Sequence, residues 1–267
     1  MQVVSETSRM GSLGKKLAIL MAGGMSLLGA QYAQAEAVAR DVPPPKFSST
    51  NVQLLYGDQF DDFITGNATT DEKMKTLTLE HYSTWEYGDN FFFTDFTAGD
   101  FIDGSKDQIY GEWHPRLSLS KLTGTTVGGG IVRDTFLASE INLGSAGSFE
   151  AYLVGLGMEF NIPHVPVLGV NVYYRNDNYN KGTYQVSPYW HIPIPIGPTN
   201  LVFDGFLDVS GTDSIGTDIM SQPQVLLDLM PLVGGSANRL QAGVEWYYHK
   251  NDLVKTSAPQ AMVKWYF

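Results

Sequence analysis

The sequence predicts an all-β protein, a transmembrane antiparallel up-and-down β-barrel of about twelve strands preceded by a cleaved signal peptide. Three observations support this prediction. Segments of alternating apolar and polar residues recur between residues 51 and 267, a secretory leader precedes them, and the last segment ends on an aromatic residue. Alternation with a period of two places successive side chains on opposite faces of a strand.

The amino-terminal segment has the parts of a secretory signal peptide. Basic residues precede an apolar run over residues 17–30, and a small-residue cleavage site ends at Ala35, with a second such site at Ala39. The apolar run is too short to cross a bilayer as a helix. Residues 1–35 are therefore predicted to be a signal peptide, residues 36–50 a proline-containing lead-in, and residues 51–267 the barrel.

The composition narrows the function classes. The chain has a net charge of −11, and removal of a leader with charge +2 leaves a mature chain of 232 residues with charge −13. Such an acidic chain repels phosphate backbones, so nucleic acid is excluded as a partner. The sequence contains no cysteine, and neither a disulfide framework nor a thiolate metal site is expected.

Twelve alternating runs are separated by clusters of Gly, Asn, Asp and Pro. The runs cover residues 51–58, 74–86, 89–98, 107–120, 130–142, 148–161, 166–177, 182–194, 199–209, 221–231, 238–250 and 258–267. One parity of each run is apolar and is predicted to face lipid, as at the even positions from Tyr152 to Phe160 and at Leu117, Leu119, Leu227 and Leu229. The other parity is predicted to face the lumen, and it contains Glu80, Asp95, Glu112, His114, Arg116, Asp134, Arg175, Asp204, Asp208, Asp228, Arg239, Glu245 and Lys264.

A soluble β-sandwich also alternates, so charges and aromatic residues must separate the two architectures. Acidic and basic residues share one parity, as expected of a polar lumen whose charges partly pair. Aromatic residues lie on the apolar parity near the ends of runs, as in interface girdles. The first connection is long, over residues 59–73, and the second is short, at residues 87–88, which predicts long loops at the outer mouth and short turns at the periplasmic mouth.

The last run, Ala261 to Phe267, has apolar residues at positions 261, 263, 265 and 267, with Lys264 on the other face. We expect the chain to end on this strand. A terminal aromatic residue on such a strand is typical of outer-membrane barrels. The last strand here resembles the assembly signal of those proteins, which involves the barrel assembly machinery. The last strand is therefore predicted to pair with the first and close the barrel.

Two segments resemble the Tsx-like nucleoside-specific channel-forming outer-membrane protein family. Residues 89–95 (DNFFFTD) are similar to its acidic and aromatic strand, and residues 115–124 (PRLSLSKLTG) are close to a Pro-Arg-aromatic-Ser-Ile-Asp-Lys-Leu-Thr run. Leu117 replaces the aromatic residue of that run, and Ser120 replaces the acidic one. The resemblance implies a monomeric twelve-stranded barrel in the outer membrane of a Gram-negative bacterium, through which nucleosides diffuse into the periplasm.

A nucleoside combines a flat base with an uncharged, hydroxylated ribose, so a selective pore needs aromatic faces and hydrogen-bond acceptors. Both types occur at predicted inward positions. The candidate substrate-binding residues of the lumen are Glu80, Tyr82, Phe91, Phe93, Asp95, Glu112, His114, Arg116, Asp204 and Asp208. Neither a catalytic residue nor a cofactor nor a metal is predicted. The expected partners are nucleosides or similar small solutes, outer-membrane lipids, the assembly machinery, and phage or other surface ligands at the outer loops.

Structural interpretations of these residues remain open. Phe91 and Phe93 would equally well pack in a narrow interior, and an ion pair between Glu112 and Arg116 would brace the wall. His114 with Glu112 lacks a third metal ligand by spacing. Two other function classes also remain: a non-conducting structural or recognition barrel, and an outer-membrane lipid hydrolase, for which His81 and Ser83 are the first pair to check.

Overall fold

A computed structural model of the chain describes residues 47–60 and 68–267. The predicted signal peptide, its cleavage sites and most of the lead-in lie outside these residues. The strands are β1 Phe47–Gly57, β2 Thr69–Thr84, β3 Gly88–Phe101, β4 Asp107–Ser118, β5 Val132–Gly144, β6 Phe149–Phe160, β7 Val167–Asp177, β8 Thr183–Ile196, β9 Thr199–Gly211, β10 Thr217–Ser221, β11 Gln224–Asp228, β12 Leu240–Lys250 and β13 Lys255–Tyr266. Helix α1 spans Leu119–Thr123, and 3₁₀ turns lie at Ala146–Ser148 and Met230–Val233.

The sheet closes on itself, which confirms the predicted barrel. Neighbouring strands are antiparallel throughout, and β1 pairs with both β2 and β13. Segments β10 and β11 both lie between β9 and β12, with Ser221 opposite Leu207 and Gln224 opposite Asp204 in one continuous register. They are two parts of one barrel strand, interrupted at Pro223, which has no backbone N–H to donate. The barrel therefore has twelve strands.

Within the strands, side-chain orientation follows the predicted parity; Arg239, which was predicted to face the lumen, instead lies before the start of β12 and is exposed. Outward residues such as Leu54 and Leu156 are more than half exposed, whereas inward Gln53 and Lys264 are 2% and 1% exposed. This is the reverse of a soluble protein, as expected when lipid surrounds the barrel and a polar interior lies within. Exposed aromatic side chains lie outward toward one end of the barrel, at Tyr152, Tyr174, Tyr184 and Trp246.

Two predicted lipid-facing residues lie beyond the strand ends. Leu119 begins α1, whose amino terminus is capped by the Ser118 hydroxyl accepting from the Lys121 amide at 3.1 Å. Leu229 precedes the 3₁₀ turn Met230–Val233. Polar residues follow Leu119 and favour a local turn, whereas Pro231 follows Leu229 and cannot donate to a neighbouring strand. No helix within the described residues is long and apolar enough to cross a membrane.

The predicted alternation of loop lengths is wrong. Strand β1 begins and strand β13 ends at the same end of the barrel, which we call the terminal mouth. This mouth also carries the long connections 119–131 and 229–239. At the opposite end, the distal mouth, the described connections after the one that follows β1 are all short, at 102–106, 145–148, 178–182, 212–216 and 251–254. The first pair of connections misled the prediction because it does not represent the later ones.

Candidate functional site: the barrel lumen

The structure turns all ten predicted lumen residues inward. Across β2, β3 and β4 the register places Glu80 opposite Phe93 and Phe93 opposite Glu112. Tyr82 lies opposite Phe91 in the same way, and Phe91 opposite His114. These three adjacent strands thus converge on one wall of the lumen, as the parity predicts. Asp204 and Asp208 project from β9, which belongs to a separate part of the wall.

Aromatic rings form a continuous row along this wall. Ring centroids are 6.1 Å apart between Phe91 and Phe93 and between Phe93 and Tyr110. The row continues from Tyr110 to Phe149 at 6.3 Å and from Phe149 to Tyr179 at 6.2 Å. We call these five residues the aromatic track. It runs from the interior to the distal mouth, because Phe149 begins β6 there and Tyr179 lies in the connection after β7.

Sequence reasoning found only the first two members of the aromatic track. Tyr110 has the inward parity of β4, two residues before Glu112, so the alternation could have revealed it. Phe149 and Tyr179 lie at or beyond strand ends, where parity no longer indicates direction. Their positions depend on how neighbouring connections pack at the distal mouth.

Glu112 and His114 belong to a cluster completed by β5. His114 Nε2 lies 2.7 Å from Glu112 Oε2, and His114 Nδ1 lies 3.3 Å from Glu140 Oε2. The Tyr110 hydroxyl donates to Glu112 Oε1 at 2.5 Å, and Asn142 Nδ2 donates to Glu140 Oε1 at 2.8 Å. We call Glu112, His114 and Glu140 the His114 cluster. Sequence reasoning missed Glu140, although it has the inward parity of its strand.

Arg116 does not pair with Glu112, which corrects the ion pair considered from the sequence. Its Nε and Nη2 donate to the two carboxylate oxygens of Asp89 at 2.8 and 2.7 Å, and Nη2 also donates to Glu159 at 2.6 Å. Nη1 donates to the Tyr189 hydroxyl. The guanidinium therefore joins β3, β4, β6 and β8, and this Arg116 network crosses the lumen in its terminal half.

A second set of polar contacts between distant strands involves Lys264 of β13, the strand that closes the barrel. Lys264 Nζ donates to Gln224 Oε1 at 3.0 Å and lies 3.7 Å from Glu80 and 3.8 Å from Asp204. Glu80 accepts two further hydrogen bonds, from Asn51 at 2.7 Å and from Gln53 at 3.2 Å. Lys264 is thus the lumenal cation that the sequence predicted, and it connects β13 with β2, β9 and β11.

An apolar cluster narrows the lumen at the distal mouth. Phe60, in the connection after β1, is fully buried and packs against Met74, Phe101, Tyr247 and Ala258. Backbone hydrogen bonds fix it in place, because its N–H donates to the Glu72 carbonyl at 3.0 Å. Nothing in the alternation predicted this cluster, because Phe60 follows the end of a run.

The histidine and serine considered for a hydrolase lie on the outer face. His81 Nδ1 is 2.7 Å from Thr50 Oγ1, and its ring stacks on Phe92 at 5.2 Å. Within the described part of the chain, no hydrogen bond joins His81 to Ser83. A serine nucleophile needs a base within hydrogen-bond reach, so this arrangement does not favour hydrolysis.

Comparisons with known proteins give partial similarities. No family model matches the chain. Over 90 residues the chain is 29% identical to outer membrane protein OmpK of Vibrio parahaemolyticus, an alignment that spans 33% of this chain and only 34% of that protein. A KdgM porin in complex with disordered oligogalacturonate has a TM-score of 0.47 at 10% identity, over 83% of this chain and 99% of the porin. A bacterial polysaccharide outer membrane secretin has a TM-score of 0.41 at 12% identity, over 84% of this chain and 100% of that one.

The architecture itself identifies the environment of the chain. A closed barrel satisfies its backbone hydrogen bonds without an exposed edge, which is a condition for crossing lipid with strands. Its outer face carries an apolar band that includes Leu54, Leu77, Leu137, Val154, Val172, Val244 and Val263. With the similarity to an outer membrane protein, these features place the chain in the outer membrane of a Gram-negative bacterium.

Proposed function

We propose that this outer-membrane barrel is a diffusion channel for small polar solutes and that nucleosides are its substrate class. The observation that carries the proposal is the aromatic track beside inward carboxylates. Phe91, Phe93 and Tyr110 offer ring faces, and Asp95 offers an acceptor oxygen on the same wall. The resemblance of residues 89–95 and 115–124 to nucleoside-specific channels supports the same substrate class.

The lumen charge favours neutral or cationic solutes. Carboxylates outnumber the buried cations among the inward residues of the described strands. The acids include Glu80, Asp95, Glu112, Glu140, Asp204, Asp208 and Glu245, against Arg116, Arg175 and Lys264. A pore lined by one sign of charge repels solutes of that sign. A polyanion is therefore a poor substrate, whereas an uncharged nucleoside meets no such barrier.

Passage requires binding that is weak and repeated. Stacking on one aromatic ring contributes about 1–3 kcal/mol per base, and a channel must release what it binds. Successive rings of the aromatic track are 6.1 to 6.3 Å apart, so a base can move from one ring to the next. The Thr78 hydroxyl donates to Asp95 Oδ1 at 2.5 Å, which fixes one oxygen and leaves the other to accept a ribose hydroxyl.

Uptake of labelled nucleosides into liposomes tests the proposal. Phe93→Ala should remove one stacking ring, and Asp95→Ala one acceptor. Loss of a ring worth about 1–3 kcal/mol corresponds to about 5- to 150-fold in affinity, so uptake should saturate at higher nucleoside concentration. Phe92→Ala is the matched control, because Phe92 is adjacent but faces outward. Unchanged flux and saturation in both lumen variants would refute nucleoside selection, and equal uptake of a neutral sugar would indicate a general pore.

A non-conducting barrel is the second candidate. The Arg116 network and Lys264 both cross the lumen, and the apolar cluster around Phe60 narrows the distal mouth. Such a barrel would act through its outer loops, as a structural protein or as an attachment site for phage or other surface ligands. Planar-bilayer recordings separate the two functions: conductance that adenosine or thymidine reduces supports the channel, and its absence supports the closed barrel.

A further inference from the structure

The His114 cluster has the composition and spacing of a metal site. One ligand atom from each of Glu112, His114 and Glu140 can be chosen so that all three lie within 4.8 Å of one another. The first two residues lie on β4 and the third on β5, and their strands are hydrogen-bonded neighbours. The sequence alone offered only a Glu-x-His pair, and strand pairing supplies the third ligand.

The carboxylates of this cluster are already oriented toward the imidazole. Oε1 of Glu112 accepts from the Tyr110 hydroxyl, and Oε1 of Glu140 accepts from Asn142 Nδ2. The Oε2 atoms of both residues face His114. Hydrogen bonds to the distal oxygen are a usual feature of carboxylates that bind metals, because they hold the ligand in place.

A buried oxygen beside the cluster has no hydrogen-bond partner. Oδ1 of Asn142 accepts no hydrogen bond, although the side chain is 3% exposed and its amide nitrogen is bonded to Glu140. Asn142 lies directly opposite Glu112 across the strand pair. An orphaned buried acceptor is costly unless a donor or a cation satisfies it, and an amide oxygen is an acceptable metal ligand.

The local charge also favours a cation. Glu140 is 2% exposed, and Asp208 of β9 adds a third carboxylate that interacts electrostatically with Glu112, His114 and Glu140. The guanidinium of Arg175 also attracts Glu140, but its hydrogen bonds go to Asp177, at 2.9 Å, and to Gln185. Two carboxylates therefore contact one imidazole, with a third nearby, and an excess of buried acids favours a further positive charge.

We propose that Glu112, His114 and Glu140 bind a divalent transition-metal ion in the lumen wall, with Asn142 Oδ1 as an additional oxygen donor. One imidazole with carboxylates suits Zn²⁺, which binds such atoms at about 2.0–2.2 Å. Ligands of a tetrahedral ion are then about 3.4 Å apart. The longer separations in the cluster, which reach at most 4.8 Å, must therefore shorten, and the 2.7 Å contact between His114 Nε2 and Glu112 Oε2 must lengthen. On binding, the proton that His114 Nε2 shares with Glu112 Oε2 is released to solvent and these two atoms move apart to admit the ion. Glu140 turns toward the ion from its position beside Nδ1.

Zinc titration of the purified, chelator-treated barrel in detergent micelles tests this site by calorimetry. The full chain should bind one Zn²⁺ with saturation, and Glu140→Gln or His114→Ala should weaken binding at least tenfold. Glu245→Gln and His191→Ala are matched controls elsewhere in the lumen and should bind as the wild type does. The heat-modifiable mobility of each variant reports whether its barrel has folded.

Absence of saturable binding in the wild type, or equal binding by Glu140→Gln, would overturn the proposal. Cobalt(II) bound to the wild type provides a measurement that needs no variant. Its visible absorption should show nitrogen and oxygen ligation at one ion per chain, and a spectrum like that of free aqueous cobalt would equally overturn the site. Neither readout depends on whether the barrel conducts.

Discussion

Replacing Arg116 by methionine should destabilise the barrel strongly. Methionine keeps an unbranched side chain that reaches about as far as the arginine Nε, but it removes the guanidinium charge and all its donors. Asp89, which is 5% exposed, then loses both of its guanidinium hydrogen bonds, whereas Glu159 keeps the one from Arg133 at 2.7 Å. Removing one partner of a buried ion pair costs about 3–5 kcal/mol. We expect about 3 kcal/mol, since only Asp89 is left unpaired.

Equilibrium unfolding in urea, followed by tryptophan fluorescence of the barrel in lipid vesicles, measures this loss. Arg239→Met is the control, because Arg239 is exposed and its nearest acceptor, the Tyr266 carbonyl, is 3.5 Å away. An exposed charge contributes about 0–1 kcal/mol. The control should therefore unfold almost as the wild type does.

A double variant separates the lost charge from the lost packing. Asp89→Asn in the Arg116→Met background removes the unpaired carboxylate, so it should recover at least about 1 kcal/mol of the loss. The guanidinium also lies 4.3 Å from the centroid of the Phe136 ring, and the double variant does not restore that contact. If Arg116→Met changed the free energy of unfolding by less than 1 kcal/mol at an unchanged urea slope, the proposed bracing role of the network would be wrong.

Two other substitutions test separate parts of the barrel in the same unfolding assay. Lys264→Met should cost about 3 kcal/mol, because it leaves Glu80 and Asp204 without a buried cation, whereas exposed Lys255→Met on the same strand should change little. Gly243→Ala places a Cβ 2.0 Å from the Val225 carbonyl oxygen, so we expect overpacking to destabilise the barrel by about 1–3 kcal/mol. A neutral effect would show that β11 and β12 can move apart without cost.

Much of the lumen wall could be predicted because strand alternation is local. The direction of each side chain on a strand is the same as that of its neighbours two residues away. For this reason Glu80, Phe93, Glu112 and Lys264 lie where the sequence placed them. Strand number and barrel closure were also accessible, since turn residues separate the runs at regular spacing.

Contacts between distant strands could not be predicted from the alternation within each strand. Arg116 has Glu112 four residues before it, yet it binds Asp89, Glu159 and Tyr189. Only closure brings these strands to one level of the lumen. The same holds for Phe60, which turns inward after the end of β1 and packs against β12 and β13. Connections between strands have no alternating pattern, so the directions of their side chains depend on how each connection packs at its mouth of the barrel.

The sequence by itself determined the twelve-stranded barrel, the outward apolar face and the inward acid-rich face, because all of these follow from a period of two and from turn residues. The tertiary structure alone decided which inward side chains meet. It joined Glu140 to His114, extended two phenylalanines into the aromatic track, and carried Lys264 across to Asp204. The physical reason is that these contacts depend on inter-strand register and on the width of the closed lumen.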